Sequence, residues 1–95
     1  MSAEQLPKPS NGQSSYTEYA EQLWYGELIR MQNNDDWSDS PVFISCSFQD
    51  RYAETLIKTL REKPYFQKFG GKTLEIIMVQ TSEPYMYNVG IRVID

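Results

Sequence analysis

The 95-residue chain has no histidine and a single cysteine, Cys46. The first absence excludes imidazole acid–base chemistry, histidine-based triads and the common structural zinc sites within one chain. The second excludes an intrachain disulfide. There is no apolar run of the roughly 18 residues that a membrane-spanning helix needs, and the first residues lack the basic-then-apolar order of a secretory leader. The resulting expectation is a cytoplasmic protein that uses no membrane, metal or cofactor. Positive charge is also scarce. Nine Lys and Arg stand against thirteen Asp and Glu, for a net charge of −4, so the molecule as a whole is not drawn to nucleic acid or anionic lipid.

What is present suits one small domain. Hydrophobic residues make up 40% of the chain and aromatic residues 14%, enough for a single core at this length. Residues 1–14 hold two prolines, a glycine and few apolar groups, and burying them gains too little to offset their chain entropy. A flexible tail is expected there, with one α+β domain over residues 15–95. Ser15 and Glu18 have capping-box spacing. They predict a helix from about Tyr16 to Met31, with Ala20, Leu23, Trp24, Leu28 and Met31 on its inner face. Glu18 and Glu21 fall early in it and Arg30 late, as the helix dipole favours. Gly26 inside this helix implies either close backbone packing or a weak point.

A polar break, Asn33 to Pro41, carries Trp37. Val42 to Phe48 then reads as a strand running into an amphipathic helix capped by Ser47. Phe48, Tyr52, Ala53, Leu56, Ile57 and Leu60 line its inner face, and Pro64 ends it. After the connector Tyr65 to Gly71, two further strands fit a hairpin centred between Glu83 and Pro84. That register sets Leu74, Ile76, Met78 and Gln80 against Val93, Ile91, Val89 and Tyr87 on one side, and Glu75 against Arg92 on the other. A slip of one residue would destroy both sortings. The expected fold is α+β, a two-layer α/β sandwich of order α-β-α-β-β. Its three-stranded mixed sheet, of order 1-2-3, has a parallel crossover and a C-terminal β-hairpin. Ile77 and Val79 would need cover on the face away from the core.

Candidate chemistry is thin. Cys46 sits where a strand meets a helix N-terminus, a place that favours a thiolate. Its spacing to Arg51 is one residue short of the cysteine-phosphatase loop and has no glycine, so a small buried apolar side chain is expected. Gly70-Gly71-Lys72-Thr73 lacks the earlier glycine of a phosphate-binding loop and leads into a strand. Asp35, Asp36 and Asp39 do not have calcium-loop spacing. No catalytic, cofactor-binding or metal-binding residue is expected. Val42 to Ser47, with Asp50, Arg51, Tyr52, Ala53 and Leu56, resembles the opening strand, loop and helix of TIR domains, which implies alternating strand and helix units but carries no function across.

Charge is unevenly placed. Residues 1–50 hold two basic and eight acidic side chains. Residues 58–72 hold Lys58, Arg61, Lys63, Lys68 and Lys72 against Glu62 alone. The leading expectation is a noncatalytic protein-binding module, regulatory or inhibitory, that contacts another protein or its own copy. Candidate contact residues are Asp35, Asp36 and Trp37 in the acidic loop, Tyr65, Phe66, Lys68 and Lys72 in the basic connector, and Tyr85. The alternative is a single-stranded nucleic-acid module that stacks bases on the aromatics of residues 63–72. The reading of the connector favoured over that alternative is that Phe66 and Phe69 plug the sheet edge and the lysines merely solvate it, the plugged-edge arrangement.

Overall fold

The computed structural model describes residues 13–94, so nearly all of the expected tail lies outside the described residues. Helix α1, Gln13–Asn34, is longer than its apolar stripe implied and begins two residues before Ser15. Strand β1, Val42–Gln49, leads directly into helix α2, Asp50–Arg61. A 3₁₀ turn, Pro64–Phe66, precedes the two-residue strand β2, Lys68–Phe69. Strands β3, Lys72–Gln80, and β4, Met86–Val93, complete the chain.

The β3–β4 hairpin has the register expected from the sequence, from Leu74 opposite Val93 through Glu75 opposite Arg92 to Gln80 opposite Tyr87. Two constraints act together there. Leu74, Ile76, Val89 and Ile91 are buried on one face, while Arg92 donates to Glu75 across the other at 2.8 Å. Ser47 does not cap α2. Its hydroxyl lies in β1 and donates to Asn88 Oδ1 at 3.1 Å, and Gln49 occupies the N-cap without a side-chain hydrogen bond.

The expected sheet order is overturned. Four strands form one antiparallel sheet of order β1-β4-β3-β2, and β1 pairs with β4 instead of with β3. The connection through α2 still joins two strands of the same direction, but β4 is inserted between them. The reason lies in the connector. Gly70 and Gly71 have φ of 57° and 81°, the left-handed pair of a type I′ hairpin. They fold β2 back onto the start of β3, pairing Lys68 with Thr73 and Phe69 with Lys72. One edge of β3 is taken by β4 and the start of the other by β2, which leaves the free edge of β4 to β1. The strand–helix alternation implied by the TIR-like stretch stops after a single unit.

The core is one layer of side chains between this sheet and the two helices. Ala20, Trp24 and Leu28 of α1 meet Ala53, Leu56, Ile57 and Leu60 of α2. Ile44, Phe48, Leu74, Ile76, Val89 and Ile91 rise from the sheet, and Phe66 closes one side. Trp24 and Phe66 pack edge to face at 5.4 Å. Burial of an aromatic or branched aliphatic side chain contributes about 1.5–3 kcal/mol, so these residues dominate the fold's stability. Between Phe43 and Ser47 the register of β1 shifts against β4. Four steps along β1 match two along β4, so the bulge keeps Ile44 and Phe48 both facing inward.

Candidate functional site

The acidic loop is first a helix terminator. Asp35 has φ of 51°. The Asp36 N–H donates to the Met31 carbonyl at 2.9 Å and the Asp35 N–H to that of Gln32 at 3.2 Å, which together make a Schellman ending with aspartate at the left-handed position. Asp36 accepts from both the hydroxyl and the N–H of Ser38, and these bonds hold its carboxyl below the usual range. Asp39 pairs with Arg30 at 2.6 Å, and Arg30 also reaches Glu27. Trp37 is half-buried against the core. Each acidic side chain except that of Asp35 thus has a local partner, which accounts for the cluster without a ligand.

The basic connector is equally committed to the fold. Phe66 is 1% exposed and leaves no surface for a partner. Tyr25 packs edge to face on both Tyr65 and Phe69, at 5.5 and 5.6 Å. Tyr65 donates to Glu21, and the Lys63 ammonium sits 3.7 Å from the same carboxylate. The aromatics face inward, as in the plugged-edge arrangement, and only Lys68 is a fully exposed candidate in this segment; Lys72 is half-buried. Gly70 lies against the Gln32 side chain of α1, so the connector's turn adjoins the helix end that carries the acidic loop. Tyr85 is 73% exposed at the tip of the β3–β4 hairpin. Lys72 opens β3 and Tyr85 lies beyond its far end, so about 26 Å of strand runs between them.

Two features were not anticipated. The first is a sheet edge. Beyond Thr73 no strand among the described residues pairs with the outer side of β3. The Leu74 N–H turns outward to the Gln67 carbonyl, whereas the Thr81 N–H turns inward to Met86. By strand alternation the peptide groups of Ile76, Met78 and Gln80 point away from β4. This edge adjoins an uncovered apolar face, where Val79 is 44% exposed, Ile77 is half-buried and Phe43 lies over Gly90. Its sequence signal was the run Ile76-Ile77-Met78-Val79, apolar on both sides.

The second is a cleft of about 500 Å³ between α1 and the 3₁₀ turn, lined by Glu18, Glu21, Gln22, Tyr25 and Tyr65. The four helix residues recur at intervals of three, four and seven from Glu18, which puts them on one face. That spacing was legible in the sequence but was overshadowed by the apolar stripe beside it.

Cys46 is half-buried, and burial pushes its thiol up, which works against a thiolate nucleophile. Among the described residues no group of three or more Cys, Asp or Glu could hold a metal ion, and no helix is long and apolar enough to cross a membrane. No family model matches the chain, and no curated protein or solved structure shows a significant likeness to it.

Proposed function

We propose that the protein is a small noncatalytic protein-binding module, regulatory or inhibitory in role and acting in the cytosol, which takes an extended segment of another protein or of its own copy onto the outer edge of β3. The observation that carries this reading is the unpaired backbone from Ile76 to Gln80 on an apolar strand. Exposed strand edges template the addition of another strand, and proteins that do not use them shield them with charge, proline or cover. Ile76 to Gln80 contains neither a charge nor a proline. The other edge strand, β1, is bulged, which makes it the poorer template. A single free cysteine suits a reducing compartment.

The test is a photoreactive residue placed at position 79, with position 54 on the outer face of α2 as control. Discrete adducts in expressing cells are expected from position 79 only, and their mass separates a second 11.1 kDa copy from a different protein. Met78→Pro removes an outward-facing N–H without touching the bonds to β4, and Ile77→Lys adds a charge on the uncovered face of the same strand. Both are expected to abolish the adducts while the far-ultraviolet circular dichroism is retained. Adducts that persist in both variants, or that form equally from position 54, would overturn the reading.

A further inference from the structure

We infer that the cleft between α1 and the 3₁₀ turn seats a guanidinium group, the arginine side chain of a partner chain, held by Glu18 and Gln22 and stacked on Tyr25. This inference does not depend on the β3 edge. The walls are aromatic, and the carboxylates among them are hydrogen-bond acceptors that suit a cation. Tyr25 and Tyr65 meet at 73° with ring centroids 5.5 Å apart, so they present two near-perpendicular aromatic walls, and Tyr25 is 44% exposed. Aromatic faces attract cations, and the attraction grows as water is excluded. Glu18 and Glu21 stand one helical turn apart on the cleft wall, close enough for one planar fork to reach from one carboxylate toward the other.

The inner carboxylate shows what the cleft accepts. Glu21 already receives the Tyr65 hydroxyl and lies 3.7 Å from the Lys63 ammonium. Glu18 is exposed and has no partner among the described side chains, so among these residues the outer half of the cleft presents an open carboxylate beside an aromatic ring. Arginine fits this half better than lysine does. Its guanidinium is flat, more weakly hydrated, and makes two parallel hydrogen bonds to a carboxylate while stacking on a ring. Gln22 adds an amide carbonyl that can accept a further N–H.

The experiment titrates the full chain with N-acetylarginine amide and follows backbone amide shifts by heteronuclear NMR. N-acetylcitrulline amide serves as the uncharged isostere and free arginine as the metabolite form. Saturable shifts confined to Glu18–Tyr25 and Tyr65 are expected with the blocked arginine, at a dissociation constant on the order of 1 mM, and none with citrulline. Glu18→Gln leaves every described contact of the fold in place, and Tyr25→Leu keeps an apolar side chain at that position. Each is expected to weaken binding about fivefold. Equal binding of citrulline, binding of free arginine alone, unchanged affinity in both variants, or no saturation would each overturn the inference.

Discussion

Tyr65 donates its phenolic hydrogen to Glu21 Oε2, a residue 44 positions earlier in the chain, and so ties the connector to α1. This hydrogen bond is the main reason that the Tyr65 hydroxyl is pushed from its ordinary value of 10 up to about 12, with burial second. The folded-state value exceeds the unfolded one. The stabilisation is therefore complete below pH 10 and is lost as pH rises to about 12, because the unfolded chain releases its proton first. Tyr65→Phe is expected to cost about 1 kcal/mol at neutral pH and to remove this share of the alkaline loss of stability. Urea melts of both proteins at neutral pH and across that alkaline window check it; a variant with the parent's neutral stability and alkaline slope would refute the tie.

Tyr52 makes the opposite case. Its hydroxyl is buried and finds no hydrogen-bond partner among the described residues, and desolvation pushes its pKa up. Removing an unsatisfied buried hydroxyl relieves a desolvation cost of about 1–3 kcal/mol that is otherwise not returned. Tyr52→Phe is therefore expected to leave stability unchanged or raise it by up to about 1 kcal/mol. The urea midpoint should fall in Tyr65→Phe and not in Tyr52→Phe, and a loss in Tyr52→Phe equal to that in Tyr65→Phe would show that the phenol is satisfied.

Helix α1 has a glycine where a helix former belongs and an aspartate where a glycine belongs. A Cβ at Gly26 would meet nothing within 4 Å, which settles the choice between close packing and weak point in favour of the latter. Gly26→Ala is expected to stabilise by about 1 kcal/mol, or about 4–8 °C in melting temperature for a domain of this size. Asp35, at φ 51°, bears the left-handed strain that glycine avoids. Asp35→Gly is expected to raise stability by about 0.5 kcal/mol, and Asp35→Val to lower it by more than 1 kcal/mol. Thermal melts of the three variants test the order; a destabilised Asp35→Gly would mean that the aspartate has a further structural contact.

These residues also show what the sequence made legible. The β3–β4 register could be read because apolar alternation and the Glu75–Arg92 pair agree on a single alignment. The strand order could not, because it depended on a two-residue strand with no periodicity of its own. Once Gly70-Gly71 is taken as a type I′ turn, β2 falls on the edge of β3 and β1 must go elsewhere. The candidate sites divide in the same way. Asp35 and Asp36 look like a site in sequence because turn-forming aspartates and ligand aspartates are the same residue type; only φ and the Ser38 bonds distinguish them. Whether Phe66 faces inward is a tertiary fact, decided by Trp24 42 residues earlier in the chain.

Gly90 is held small by Phe43. A Cβ at Gly90 would lie 2.7 Å from Phe43 Cδ1 and 3.1 Å from the Val42 carbonyl oxygen. The first contact can be relieved by moving a ring that is 38% exposed; the second involves backbone. Gly90→Ala is expected to cost about 1–3 kcal/mol, and Phe43→Ala in the same chain to recover about half of it, a coupling that a double-mutant cycle measures. Full additivity of the two changes would show that the ring does not exclude the Cβ.

The inward-facing connector has a consequence for nucleic acid. Stacking supplies about 1–3 kcal/mol per base when an aromatic face is open. Phe66 is buried, Tyr65 is bonded to Glu21 and Phe69 is packed on Tyr25. What remains is the exposed charge of Lys58, Arg61 and Lys68 with half-buried Lys72, on a molecule of net charge −4, and the phosphate contacts these offer without stacking are too few to hold an oligonucleotide at physiological salt. Fluorescence anisotropy with short single-stranded oligonucleotides is expected to show no saturable binding at that salt. Any weak signal at low salt should fall in Lys68→Glu/Lys72→Glu. Phe66→Ala is expected to act on the fold instead, costing about 3–5 kcal/mol through the cavity left beside Trp24, most of the stability of a small domain. Salt-resistant binding that depends on Lys68 and Lys72 would restore the connector as a nucleic-acid surface and would require Tyr65 and Phe69 to swing outward from α1.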